Sequence, residues 1–240
     1  MRLADAAVTA PTVDIALTIR VAGVEATLRP SGALWLAQAQ MMVVADLHLE
    51  KGSSYAARGQ LLPPYDTPET LDRLEREVGV LSPKSVVFLG DTLHDVEAQA
   101  RLAVSEKARL HALSERVRLI WIRGNHDPDG AGTLGGETMG FMEAAGLVLR
   151  HDPSPMPVPG EVAGHLHPCL RLHGAAGSLR RRCFASDGQR LILPAFGAYA
   201  GGLNLLDNAF KPLFATPPTG YALGRRVTAI NPERLRPDRA

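Results

Sequence analysis

Asp46-Leu47-His48, Gly90-Asp91, Gly124-Asn125-His126-Asp127 and Gly164-His165-Leu166-His167 lie far apart in a chain of 240 residues, yet carry complementary chemistry. Carboxylate and carbonyl oxygens suit hard divalent cations, and imidazole nitrogens suit the borderline first-row metals. A mixed oxygen and nitrogen set points to Mn, Fe, Zn, Co or Ni. No thiolate accompanies these fragments, as one usually would in a structural zinc clip. Asp46, His48, Asp91, Asn125, His165 and His167 outnumber the protein ligands of one catalytic ion, which must keep a position open. They suit two divalent ions roughly 3.5–4 Å apart that share a carboxylate and activate water for in-line attack on phosphorus.

Such residues meet only if the fold brings them to one edge. Met41–Ala45, Ser85–Leu89 and Val117–Ile122 are apolar, β-branched runs, each ending at one of the fragments. They read as strands delivering ligands at their carboxyl ends. Further strands are expected at Ile15–Val21, Glu25–Leu28 and Ala33–Ala37, with a Pro30-Ser31-Gly32 turn, and at Leu147–Leu149 just before His151. Between them the pattern predicts a long loop over Lys51–Pro64, then a helix to about Val78 with Thr67 as N-cap and Pro68 at its first position. Further helices are expected over Val96–Leu113 and Glu137–Ala145, the second closed by Gly146. Strand, ligand loop and helix in alternation mark βαβ units. Pro153–Gly160 is too rich in proline for strand or helix. Ser186-Asp187-Gly188 between Arg180–Ala185 and Arg190–Leu193 reads as a hairpin. Met1–Thr12 reads as a loosely held start, and residues 231–240, with two prolines and many charges, as a flexible tail after a single domain over 1–230.

Hydrophobic residues make up 45% of the chain, enough for one large α/β domain. With 26 basic against 25 acidic residues the net charge is +1, so no broad electrostatic footprint singles out nucleic acid. Cys169 and Cys183 are the only cysteines. With neither a secretory segment nor a long apolar run, they read as reduced thiols of a cytoplasmic protein without a membrane partner, against a hairpin disulfide or a metal role.

The ordered series resembles the calcineurin-like metallophosphoesterase superfamily over roughly Met41–Pro168. Ala45–Ser53, Leu61-Leu62-Pro63-Pro64-Tyr65-Asp66, Gly164–Pro168, Leu193-Pro194-Ala195-Phe196-Gly197 and Gly201-Gly202-Leu203 are similar, more narrowly, to the bacterial ligase-associated DNA damage response endonucleases, the PdeM family. The resemblance implies an α/β fold, a β-sandwich of two mixed sheets flanked by helices with metals at strand carboxyl ends. It implies a phosphodiesterase acting on DNA, two divalent ions, most naturally Mn, and association with DNA ligase and helicase repair proteins. It places Asp46, His48 and His167 on one ion, Asn125, His151 and His165 on the other, and Asp91 between them. His126 becomes a general acid, with Asp127 fixing its tautomer and steadying its charge.

Other residues have plainer readings. His94 follows Asp91 too closely to be the separate histidine motif, His111 sits on a predicted helix, and His173 comes after the last motif. Arg58 and Arg123 are weaker candidates for binding substrate phosphate. Arg180-Arg181-Arg182 reads as a solvated hairpin edge, with Arg180 and Arg182 on one face and Arg181 on the other. Trp35 and Trp121 belong to the core, whereas Tyr55, Tyr65 and Tyr199 could wall the substrate site. Gly90, Gly124 and Gly164 are expected at sharp turns where a side chain would not fit. A small-molecule phosphoesterase and a non-catalytic binding module remain as rival readings. Oligomeric state is open.

Overall fold

The computed structural model describes residues 15–131, 134–174 and 177–238. Two sheets face each other. The first contains, in spatial order, β1 (Leu17–Val21), β2 (Val24–Leu28), β3 (Leu34–Leu36), β4 (Met41–Val44), β5 (Ser85–Leu89), β6 (Arg118–Ile122) and β7 (Glu137–Met139). The second is built from β8 (Phe141–Ala144), β9 (Leu147–Arg150), β10 (Glu161–Ala163), β11 (Pro168–Gly174), β12 (Gly177–Ser186), β13 (Leu191–Ile192) and β14 (Leu203–Asn204), with β15 (Thr219–Ala222) and β16 (Thr228–Ile230) joined through β12. Both sheets mix parallel and antiparallel pairs.

Strands β4 to β6 are buried on both faces, which is why they read as unbroken apolar runs. Met42, Val44, Val86, Phe88 and Trp121 point to one side, where they pack against α2 (Asp66–Leu81) and α4 (Val104–Ser114). Their alternates Val43, Val87, Leu89, Ile120 and Ile122 meet Leu149, Val162, Phe184 and Leu191 of the other sheet. Because β4, β5 and β6 are parallel, their carboxyl ends share one rim. The parallel pair β9 and β10 ends at the same rim, since the side chains of His151 and His165 meet those of Asp91 and Asn125.

Four local expectations change. Lys51–Ala57 forms a helix, α1, where a loop was expected. Gly52 is there for close approach, since a Cβ would stand 2.7 Å from Asp66 Oδ1. Helix α2 begins at Asp66 with Tyr65 as its cap, two residues before the expected first position, Pro68. The Thr67 hydroxyl instead donates to Glu50 Oε1 (2.9 Å) and accepts the Glu50 N–H (2.8 Å), while Asp66 Oδ2 accepts the Gly52 N–H, so both residues brace the chain after His48. The expected helix over Val96–Leu113 is two, a short α3 (Ala98–Arg101) and α4, because Leu102 and Ala103 turn extended and Glu106 accepts the Ala103 N–H. Glu137–Ala145 is β7 and β8, whose pairings with β6 and β9 override good local helix formers. Ala145 and Gly146 both have positive φ, the signature of a tight hairpin turn.

The expected hairpin of β12 and β13 forms, and Pro153–Gly160 is irregular. Met1–Thr12 falls outside the described residues. Where a flexible tail was expected after Asn231, Leu235 is buried, Arg236 donates its N–H to Arg171 O, and Asp238 pairs with Arg171 and Arg180. Among the described residues no helix is long and apolar enough to cross a membrane. Cys169 and Cys183 are buried free thiols, and burial pushes both above their usual range.

Candidate metal centre

Each strand hands over its polar residues through an abrupt turn. Asp46, His48, Asp91, His165 and His167 all have φ between +46° and +69°, a left-handed conformation that is uncommon outside glycine and persists only where the surroundings enforce it. Here they do. His48 donates its N–H to Asp91 O, His165 donates its N–H to Asp46 Oδ2 (2.9 Å), and Phe196 donates to Ala45 O. A Cβ at Gly90 would stand 2.6 Å from the His151 ring, and one at Gly164 2.7 Å from Asp46 Oδ2. At Gly124 it would overlap the Asp91 backbone nitrogen. These glycines are required by contact between the loops.

The expected ligands form two groups of converging donor atoms, and His94 and His126 make a third with His48. In one, His48 Nε2 and His167 Nε2 stand 3.2 Å apart, Asp46 Oδ1 is 3.3 Å from His167 Nε2, and Asp91 Oδ2 is 4.0 Å from His48 Nε2. In the other, His151 Nε2 lies 2.9 Å from Asn125 Oδ1, 3.1 Å from His165 Nδ1 and 3.4 Å from Asp91 Oδ1. His151 Nδ1 sits 2.8 Å from Leu89 O, an acceptor, so it carries the ring proton and leaves a lone pair on Nε2. That lone pair faces three other acceptor-bearing groups, an arrangement that suits a cation at their centre. The two Asp91 oxygens face different groups.

Protonation favours the same use. Burial, followed by the neighbouring His167, His126 and His94 rings and Lys51, pulls His48 down to about 2. Burial and Lys51 pull His94 to about 4. Both rings are therefore neutral at physiological pH, the form that binds metals.

His126 stands at the mouth of this cluster, its side chain 41% exposed. Its Nδ1 is 2.8 Å from His94 O, which orients the ring and leaves Nε2 pointing inward, 3.9 Å from Asp91 Oδ2. The expected pairing with Asp127 is absent. Asp127 instead accepts the backbone N–H groups of Asp91, Thr92, Leu93 and Gly124, at 2.7 to 3.2 Å, and so ties the Asp91 turn to the Gly124 turn. Burial pushes its carboxyl up to about 6, against the pull of those N–H donors. Asp127 is a scaffold residue here, and a backbone carbonyl fixes the His126 tautomer.

The seven expected ligands are thus brought together, with His151 and not His94 as the separate histidine, while His94 stands beside them with His48 and His126. It shares the cavity with His126, its ring stacked at 5.4 Å and 20°, and is also near Tyr55. The chain between Asp91 and His94 doubles back, with Leu49 bridging Leu93 and His94 donating its N–H to Leu49 O. His111 and His173 are exposed, outside the cluster. Arg123 lines a cavity beside Asn125, whereas Arg58 ends α1 and acts on His94 only through its charge. Tyr199 donates to Pro63 O, Tyr65 is exposed at the start of α2, and Trp121 is buried against Phe88. The arginine run is no solvated edge throughout. Arg180 donates to Gly202 O, while half-buried Arg182 donates to Ala195 O, whose neighbour Phe196 also receives Arg73. These arginines press residues 195–202 against the Asp46 loop, a role that their charge alone conceals.

The chain matches the profile of a family described as calcineurin-like phosphoesterase over residues 40–188. Among solved structures it is similar to the Pseudomonas putida nuclease MPE, with 26% identity and a TM-score of 0.68 over 90% of this chain and 100% of that one. It is more distantly similar to Yfce, a phosphoesterase from E. coli, with 17% identity and a TM-score of 0.38 over 68% and 83% of the two chains. No curated protein matches the sequence.

Proposed function

The chain belongs to the calcineurin-like phosphoesterase family, metal-dependent hydrolases of phosphate esters, and on that premise we propose that it is a two-metal phosphodiesterase that cuts DNA internally, in the service of DNA repair. The observation that carries the two-metal reading is the division of Asp91, one carboxylate oxygen toward His48 and the other toward His151. Asp46, His48 and His167 would hold one ion and Asn125, His151 and His165 the other, with Asp91 able to serve both. When bound, the ions would lower the pKa of water and offset charge on the phosphoryl oxygens.

The remaining work falls to the chain itself. His126, its Nδ1–H held by His94 O, turns Nε2 toward the reacting group, and as the imidazolium, protonated on both nitrogens, it donates the Nε2 proton to the departing ester oxygen. Asp127 fixes the distance between the Asp91 and Gly124 turns, and so the place of His126 relative to the bridging carboxylate. Support for DNA as substrate comes from the similarity to a nuclease along nearly the whole of both chains. Mn is the expected metal, given the oxygen and imidazole donors. Two reduced thiols accord with the cytoplasm, and DNA ligase and helicase proteins are the expected partners.

The test incubates Mn-loaded protein with single-stranded DNA, duplex DNA, cyclic and linear nucleotides, and a generic aryl phosphodiester. Cleavage of single-stranded DNA that falls ~10²-fold or more in His126→Ala is the expected result. Rapid turnover of a small nucleotide with no cleavage of any DNA would replace the nuclease reading with a small-molecule phosphoesterase.

A further inference from the structure

The metal centre opens into two cavities of unlike chemistry. One, of about 320 Å³, is lined by five histidines and Lys51 together with Leu166 and Leu203. The other, of about 300 Å³, lies on the side of Asn125, His151 and His165 and is walled by Arg123 and Arg150. No aliphatic or aromatic side chain other than the histidines lines this second cavity, so it has nothing to stack on or bury a nucleobase.

Its two arginines are placed by the same strands that place the ligands. Arg123 follows β6 and precedes Gly124-Asn125, and Arg150 ends β9 just before His151. Arg123 is exposed, and among the described residues its guanidinium has no hydrogen bond or ion pair. Arg150 spends one nitrogen on Ser154 Oγ (2.7 Å) and lies 3.6 Å from Glu161. Asp152, exposed at the rim, is the only carboxylate lining the cavity. An unpaired guanidinium beside a phosphoryl-transfer centre, with a second one alongside, is the recognition chemistry of a phosphate group.

We propose that Arg123, assisted by Arg150, binds the phosphate next to the scissile one, on the fragment that stays with phosphorus. His126 and the histidine-lined cavity, with Leu166 and Leu203 in its wall, then lie on the side of the departing fragment. The inference rests on the phosphodiesterase reading above and adds the preference for a chain of phosphates over an isolated diester.

The test uses two chromogenic diesters with the same leaving group, thymidine 5′-(4-nitrophenyl phosphate) and the same compound bearing a 3′-phosphate on the retained thymidine. Wild-type enzyme is expected to favour the 3′-phosphorylated compound about tenfold in kcat/KM at low salt, mostly through KM, with the preference shrinking as salt rises. Arg123→Ala reduces that preference to less than about twofold, Arg123→Lys retains part of it, and Asp152→Asn enlarges it by removing repulsion. Arg181→Ala, an exposed arginine away from the centre, keeps the preference and controls for lost net charge. Equal use of the two compounds by wild type, or an undiminished preference in Arg123→Ala, overturns the proposal. Failure to hydrolyse either compound sinks the phosphodiesterase reading itself, while hydrolysis of both without cleavage of DNA sinks only the nuclease assignment.

Discussion

The two donor groups look alike in composition but differ in how their histidines are held. His151 has its Nδ1 anchored on Leu89 O before any cation arrives. His48 is as deeply buried, yet its Nδ1 has no hydrogen-bond partner, and the rings of His94, His126 and His167 crowd around it. A histidine whose second nitrogen is bonded to a carbonyl has its tautomer and orientation fixed, whereas an unanchored one must be ordered by the metal itself. On the two-metal reading, the group around His151 would be a preformed site, and the group around His48 would owe more of its order to the ion.

The largest test of this contrast removes what the two groups share. Asp91→Ala should lower hydrolysis of an aryl phosphodiester by ~10³-fold or more and cost at least one bound Mn, read by metal analysis after gel filtration. A variant that retains two Mn ions and full activity would remove Asp91 from the bridging position. Next in size, Gly124→Ala forces a side chain into the Asp91 backbone, and should cost ~1–3 kcal/mol of stability, read as a lower melting temperature, together with activity.

The contrast between the groups is sharpened by calorimetric titration with Mn. Wild type should bind one ion roughly 10–100-fold more tightly than the other. His151→Ala should abolish the tight phase and His48→Ala the weak one. The reverse assignment would mean that anchoring a ring matters less here than the charge of Asp46.

The smallest effect concerns pH in metal-free protein. His48 and His94 have folded pKa values below the ordinary histidine value, so the unfolded chain binds more protons and stability falls as pH drops below about 6.5. Asp127, raised by burial, pulls the other way below about pH 6. With two rings against one carboxyl, melting temperature is therefore expected to keep falling from pH 7 towards pH 4, less steeply than the rings alone would make it. A steady rise on acidification would show that the carboxyl outweighs the rings.

Most of the first sheet is legible in the sequence because β4, β5 and β6 are buried on both faces and carry continuous apolar runs ending at the ligands. The ligand set is legible for a different reason, the order and spacing of its fragments. Glu137–Ala144 is not, since its residues suit a helix locally and are strands only because β6 and β9 offer edges to pair with. Nor is the role of Asp127. An Asp beside a His invites a pairing, and only the turn of the chain reveals that four backbone N–H groups reach the carboxylate first. The place of His94 escaped for the mirror reason: only two residues separate it from Asp91, but the fold sends it to the other side of His126.

The alternation of left-handed residues along Asp46-Leu47-His48 and His165-Leu166-His167 has a consequence for the life of the molecule without its ions. Asp46, His48 and His165 are held against their own preference by the carbonyls of Gly90 and Asp91 and the carboxylate of Asp46, and ligation would add to that hold. Removal of metal should therefore loosen these two segments before anything else. Their amides should be the first in the molecule to exchange with deuterium, and Leu47 and Leu166, one buried and one partly so, the first new sites open to a protease. The ions would then guard the enzyme against degradation as well as equip it for catalysis.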